Sequence, residues 1–152
     1  MDILIEIKEF MKDLFRMKQV GANETENQRI GRIGENVACT FLMKRGFKIV
    51  ERNHWRKWGE IDIVAKKQGR LYFVEVKTTA FPGIRSVSPE TLDGYQPEEK
   101  VHPQKLKRMS RVIQTYLLEK KYEGEWQFDV LVVFLDEKRR EAKCRYIENV
   151  VL

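Results

Sequence analysis

Apolar residues Ile3, Ile7, Phe10, Leu14 and Met17 recur at steps of three and four, which predicts an amphipathic helix over the opening segment. The small, polar stretch from Gly21 to Asn27 then reads as a linker. A second helical signal starts near Gly34 and carries Ala38, Phe41 and Leu42 to Arg45, with Gly46 as its terminator. Beyond it the period shortens to two. Lys48 to His54, Glu60 to Lys67 and Arg70 to Thr79 read as strands, and Lys67-Gln68-Gly69-Arg70 can turn a hairpin between the last two. The prolines Pro82, Pro89, Pro97 and Pro103 all fall within residues 80–104, a long loop of the kind that often carries function. Pro103 is placed to open a helix, which Leu106, Met109, Ile113, Tyr116 and Leu117 carry to about Glu119. Trp126 to Leu135 has the apolar, β-branched character of a buried central strand, and the helix before it permits parallel pairing with an earlier strand. Asp136 to Ala142 reads as a charged turn and Cys144 to Leu152 as a final strand.

This order predicts an α/β fold, a mixed β-sheet flanked by helices, with an extra N-terminal helix. Its parts are an accessory amphipathic helix at 1–20, a linker at 21–28 and an α/β domain at 29–152. A chain of 152 residues suits one domain with a sizeable core. The accessory helix has an apolar face to cover, either against its own domain or against a second copy in a homodimer. The longest apolar runs, such as Val130 to Leu135, are too short to span a bilayer, and the first residues lack a basic segment followed by an apolar core. Cys39 and Cys144 lie far apart with no metal-ligand spacing. A cytoplasmic protein without a membrane role is the expectation.

Charge changes this picture. The net charge is +6, and residues 1–20 add nothing to it because Asp2, Glu6, Glu9 and Asp13 balance Lys8, Lys12, Arg16 and Lys18. The excess lies in Arg29, Arg32, Lys44, Arg45, Lys48, Arg52, Arg56 and Lys57, and in Lys100, Lys105, Lys107, Arg108, Arg111, Lys120 and Lys121. Two such stretches on one side of a fold would attract a polyanion. His54, Trp55 and Trp58 surround the turn before Glu60, where aromatic rings either stack on unpaired bases or pack against the sheet edge. His54 and His102 form no zinc motif, and no glycine-rich phosphate loop or dinucleotide fingerprint is present.

Acids inside β-forming runs need a reason. In Gly59-Glu60-Ile61-Asp62-Ile63-Val64 the two-residue period puts Glu60 and Asp62 on one face and Ile61 and Ile63 on the other. In Val74-Glu75-Val76-Lys77 the polar face carries Glu75 and Lys77, and the turn between the segments can bring Asp62 close to Glu75. Two neighbouring carboxylates repel each other unless a cation neutralises them. Mg²⁺ or Mn²⁺ fits their hard oxygen donors and would also hold a phosphate oxygen. Lys77 beside them can orient water or offset charge on phosphate, while solvent-facing charges on a surface hairpin are the plain alternative. Glu35 is either a favourable acid in a first helical turn or a further contact to that cluster, direct or through water.

Gly31-Arg32-Ile33-Gly34-Glu35-Asn36-Val37-Ala38, Gly46-Phe47, Arg52-Asn53, Gly59-Glu60-Ile61-Asp62 and Phe73-Val74-Glu75-Val76-Lys77 resemble, in this order, the YraN-like family of bacterial predicted endonucleases. That family is similar to archaeal Holliday junction resolvases and belongs to the PD-(D/E)xK restriction-endonuclease-like superfamily. The resemblance covers residues 29–152. It implies a restriction-endonuclease-like sheet and a metal-dependent endonuclease acting on DNA, with branched or distorted DNA as the resolvase-like substrate. A non-catalytic nucleic-acid-binding or assembly protein retaining that fold is the alternative. By the resemblance Asp62 is the metal-bridging acid, Glu75 the second acidic ligand, Lys77 the catalytic lysine and Glu35 the helical acid. The Val76 carbonyl completes the metal shell and Lys105 contacts phosphate. Arg32, Arg52, His54, Trp55, Arg56, Lys57 and Arg108 join Lys105 as candidate nucleic-acid contacts. Phe128-Asp129-Val130 resembles the strand after the family's second helix. Two departures stand out: Thr78 and Thr79 occupy positions where members often carry an arginine, and Gln127 precedes Phe128-Asp129 where an arginine is common.

Overall fold

Thr25 sets the start of the first helix, α1 (Glu26–Lys44). Its hydroxyl accepts the Gln28 N–H at 3.2 Å while Gln28 Oε1 accepts the Thr25 N–H at 2.9 Å, a reciprocal cap that satisfies two donors at the helix end. The helix therefore begins inside the stretch expected to be a linker, well ahead of Gly34. At its other end the Phe47 N–H reaches the Leu42 carbonyl at 3.0 Å, and Gly46 takes the left-handed conformation, φ +87°, that ends the helix where the glycine predicted it.

The computed structural model describes residues 4–7, 23–80 and 103–152. After α1 the chain forms β2 (Lys48–Arg56), β3 (Gly59–Lys67) and β4 (Arg70–Ala80) in antiparallel sequence. The turn between β3 and β4 has positive φ at both Gln68 (49°) and Gly69 (77°), the conformation that lets a two-residue hairpin follow the twist of its strands. Helix α2 (Pro103–Glu119) crosses over to β5 (Trp126–Asp136), which pairs parallel to β4 as expected, and β6 (Glu141–Ile147) returns antiparallel.

The opening segment departs from the expected helix. Leu4–Ile7 is a strand, β1, whose residues Leu4 to Ile7 pair antiparallel with Arg145 to Ala142 of β6. The short run Leu-Ile-Glu-Ile suits a strand as well as a helix, and pairing here covers the backbone donors and acceptors that β6 would otherwise leave bare at the sheet edge. The rest of the predicted helix lies outside the described residues, as do the long loop and His102. The last strand also starts and stops earlier than expected, because Glu141 and Ala142 already pair with Asp136 and Leu135. Beyond Ile147 the chain is held by the Val150 N–H on the Phe128 carbonyl, 2.8 Å away.

The sheet order is β1-β6-β5-β4-β3-β2. Helix α1 covers one face through Val37, Phe41 and Leu42 against Ile63, Val74, Leu131 and Val133. Helix α2 covers the other through Met109, Val112, Ile113 and Tyr116 against Val64, Phe73, Val130 and Phe134. Burial on both faces explains the unbroken apolar run of β5, and each large side chain in it contributes about 1.5–3 kcal/mol. This is the restriction-endonuclease-like α/β arrangement. None of the described helices is long and apolar enough to cross a membrane.

Candidate active site

The candidate site forms where β3 parts from β4. Ile63 opposite Val74 is the last registered pair between these strands, although β4 stays paired with β5 as far as Ala80 and Leu135. At the same point β3 rolls. Ile63 packs into the α1 cluster and Ile61 into the α2 cluster, although strict alternation would put them on one face. Asp62 lies between them, and its Oδ2 accepts the Val76 N–H at 2.8 Å. A side chain that accepts from a neighbouring strand's backbone lies along the sheet, so Asp62 points into the fork between the strands. The expectation that Ile61 and Ile63 share a face therefore fails at this acid, because the strand twists there.

Glu75 faces the α2 side of β4 beyond Phe73 and is only 6% exposed. Lys77, one strand period further, places Nζ 3.7 Å from Glu75 Oε1. Lys105, in the first turn of α2, comes nearer, with Nζ 2.5 Å from the same oxygen. The site thus gathers two carboxylates and two ammonium groups in a partly desolvated fork. Burial pushes the Asp62 carboxyl up to about 9, the adjacent Glu75 charge pushes the same way, and the Val76 N–H opposes both. Burial also holds the Lys77 ammonium below its ordinary range, reinforced by Lys105 beside it. For Lys105, burial acts against the charge, yet contact with Glu75 outweighs it and raises the group.

Glu35 takes a different position. With its amide nitrogen turned toward the acids, Asn53 donates to Glu35 Oε1 at 3.1 Å and to Glu60 Oε1 at 3.0 Å. Arg52 stands 4.0 Å from the other Glu35 oxygen and donates to Asn36 Oδ1 at 2.9 Å. Burial raises the Glu35 carboxyl, with Arg52 opposing, and the charges of Glu60 and Glu75 add to the rise. Glu35 therefore feels the acidic pair electrostatically while its own oxygens are engaged by Asn53 and Arg52. Asn53 achieves this with φ +52°, a conformation asparagine tolerates better than most residues. Among the described residues no group of three acid, histidine or cysteine side chains is arranged to hold a metal ion.

The remaining candidates divide. Trp55 is 66% exposed, and Lys57 and Arg108 are exposed as well. Arg32 is paired with Glu24 at 2.8 Å, and Arg56 is paired with Glu119. His54 is 3% exposed, sits edge-on to Tyr116 with ring centres 5.0 Å apart, and meets Glu51 through Nδ1 at 3.0 Å. It is a packing residue, so the expectation that it contacts nucleic acid is corrected. Trp58 also joins the α2 cluster, with the Arg111 guanidinium 4.4 Å above its ring. Lys105, which by the resemblance contacts phosphate, holds Glu75 in this structure. No signal in the sequence placed it there, because the contact depends on where α2 returns to the sheet.

The positions of the two departures are seen in the fold. A Cβ on Gly34 would come within 1.8 Å of Thr78 Oγ1, so α1 lies directly on β4 at Thr78. Gln127 is buried and bridges two strands, donating to Asp129 Oδ1 at 2.8 Å and accepting from Arg70 at 2.9 Å. The guanidinium that meets Gln127 is thus supplied from β4.

The donor set fits a hard divalent cation. Mg²⁺ is commonly held by one or two carboxylates, with water and substrate phosphate completing its shell, and here the ammonium of Lys105 already meets Glu75 as a counter-ion.

The model of the uncharacterised protein family UPF0102 matches residues 34–133. A UPF0102 protein of Helicobacter pylori is 35% identical over 116 residues, covering 76% of this chain and 85% of that protein. One from Dictyoglomus turgidum is 35% identical over 124 residues, covering 81% and 97%. One from Campylobacter jejuni is 36% identical over 103 residues, covering 68% and 81%. The chain belongs to the UPF0102 family, which is the YraN-like family of the PD-(D/E)xK restriction-endonuclease-like superfamily.

Proposed function

We propose that this UPF0102 protein is a metal-dependent DNA endonuclease whose reacting groups are Asp62, Glu75 and Lys77, with Mg²⁺ or Mn²⁺ as cofactor. The observation that carries the reading is the desolvated acid pair: Glu75 is 6% exposed, and its charge helps push the Asp62 carboxyl up to about 9. A protein gains little from such repulsion in a fork between strands unless a cation is meant to relieve it. Asp62 and Glu75 would hold that cation, with the Val76 carbonyl as a further oxygen donor and Glu35 reaching it through water. When bound, the cation supplies charge neutralisation and Lewis acidity at the phosphate.

The chain's own groups have distinct tasks in this reading. Lys77 orients the attacking water and offsets negative charge on the non-bridging oxygens. A water oxygen bonds to phosphorus, the bond from phosphorus to the sugar oxygen breaks, and that oxygen leaves with a proton, giving a nick. Trp55, with its exposed ring, stacks on a base that is unpaired or distorted, while Lys57 and Arg108 meet the backbone. Arg32, Arg52 and Arg56 reach DNA by exchanging their carboxylate or amide partners for phosphate. Branched DNA is the substrate this favours, and a homodimer would bring two such sites to two strands. Buried, free Cys39 and Cys144 suit a reducing cytoplasm.

The second reading, a non-catalytic nucleic-acid-binding protein, draws on the lack of a three-acid cluster among the described residues. Labelled branched and linear DNA incubated with Mg²⁺ or Mn²⁺ separates the two. The original chain should nick the branched substrate, and Asp62→Asn and Lys77→Ala should each lower the rate by at least about a hundredfold. Equal cleavage by all three proteins would place the chemistry elsewhere. Tight binding that is insensitive to metal and yields no product would favour the second reading.

A further inference from the structure

We infer that Lys105 is a tethered counter-ion seated at the cation position of Glu75, which the divalent metal must displace, so that metal and phosphodiester binding reinforce each other. This rests on the nuclease reading and adds a control to it. The first observation is the contact itself: Lys105 Nζ lies 2.5 Å from Glu75 Oε1, nearer than Lys77 at 3.7 Å. The second is an asymmetry of exposure. The Glu75 side chain is 8% exposed, whereas Lys105 is 43% exposed and can swing outward on its flexible stem.

The third observation fixes where the displaced ammonium can go. On its inner side Lys105 borders, together with Glu75, a cavity of about 50 Å³ whose other walls are the apolar side chains of Leu106, Met109, Phe128, Val130 and Val150, so these walls offer an ammonium no acceptor besides Glu75 itself. It must move outward, toward solvent or an anion. Even with both carboxyls ionised, Asp62 and Glu75 only balance Lys77 and Lys105, so a divalent ion entering alone leaves two positive charges in excess. A phosphodiester lowers that excess and gives the released ammonium a partner. Metal binding thereby favours the phosphodiester, and by reciprocity the phosphodiester tightens metal binding.

Mn²⁺ binding, followed by electron paramagnetic resonance of the free ion, tests this with the original chain, Lys105→Met and Lys107→Met as a neighbouring control. Each protein is titrated alone and with branched DNA carrying phosphorothioate linkages, which resists cleavage. Lys105→Met should bind Mn²⁺ about threefold to tenfold more tightly than the original chain without DNA. DNA should tighten Mn²⁺ binding in the original chain and in Lys107→Met, and much less in Lys105→Met. If Lys105→Met binds Mn²⁺ no more tightly than the original chain, the counter-ion role is wrong while the metal site stands. If none of the proteins binds Mn²⁺, the nuclease reading falls and the inference falls with it.

Discussion

Two acids on the strands that flank β4, Asp129 and the half-buried Asp62, have opposite surroundings. Asp129 on β5 is fully buried and accepts from Gln127 Nε2 at 2.8 Å, from the Asn149 N–H at 2.9 Å and from the Tyr146 hydroxyl. Burial raises its carboxyl, and all three donors oppose that rise. Asp62 on β3 has the Val76 N–H as its backbone donor and faces a second carboxylate. Asp129 uses its charge to tie the C-terminal segment and β6 to the sheet, and its donors make it a fastening. Asp62 remains in conflict with Glu75, a conflict that the proposed cation would relieve. Burial alone does not separate structural acids from reactive ones; the donors around them do.

The contrast is broken most severely at Asp129. Asp129→Ala leaves the Gln127 amide, the Tyr146 hydroxyl and the Asn149 N–H buried without their acceptor, and stability should fall by about 3 kcal/mol in urea unfolding. A loss below about 1 kcal/mol would mean that water replaces the carboxylate and that the fastening is weak.

At Asp62 the sign reverses. Folding raises this carboxyl from 3.8 to about 9, so its favourable contribution is complete below the lower value and is lost as pH rises through the upper one. Asp62→Asn keeps an oxygen for the Val76 N–H and removes the charge. Without metal the variant should be more stable than the original chain by about 2 kcal/mol at pH 7, with an advantage that grows between pH 5 and 9. A variant less stable at every pH would show that the acid is held as favourably as Asp129.

The smallest effect on stability is expected at Trp55. Its ring is 66% exposed, so Trp55→Ala should alter unfolding by less than about 0.5 kcal/mol while weakening branched-DNA binding by about 1–3 kcal/mol in a fluorescence titration. Unchanged DNA affinity would remove this ring from the interface.

Much of this was legible along the chain for physical reasons. The two-residue alternation through Glu75 and Lys77, the hairpin signal at Gln68-Gly69 and the apolar stripe of α2 are local patterns, and each folds as its period dictates. The reciprocal Thr25–Gln28 cap is equally local, and it starts α1 ahead of the apolar stripe that predicts a helix from Gly34. Other features have no local signature. Leu4–Ile7 suits either period, and its strand state depends on a free β6 edge far along the chain. The roll of β3 at Asp62, which sends Ile61 and Ile63 to opposite faces, leaves the acid pointing into the fork. His54 carries no mark of its burial beneath Tyr116, and Lys105 carries none of its contact with Glu75. The acids were readable as residue types, whereas their conflict became visible only in three dimensions.

Thermal unfolding at pH 8 with and without Mn²⁺, run in parallel on the original chain and Asp62→Asn, tests the central claim most directly. If Asp62 and Glu75 form a cation site, Mn²⁺ at about a hundred times its dissociation constant adds roughly 2.7 kcal/mol to the original chain and raises its melting temperature by several degrees, while the variant responds little. Equal shifts in both proteins, or none in the original chain at millimolar Mn²⁺, would contradict it.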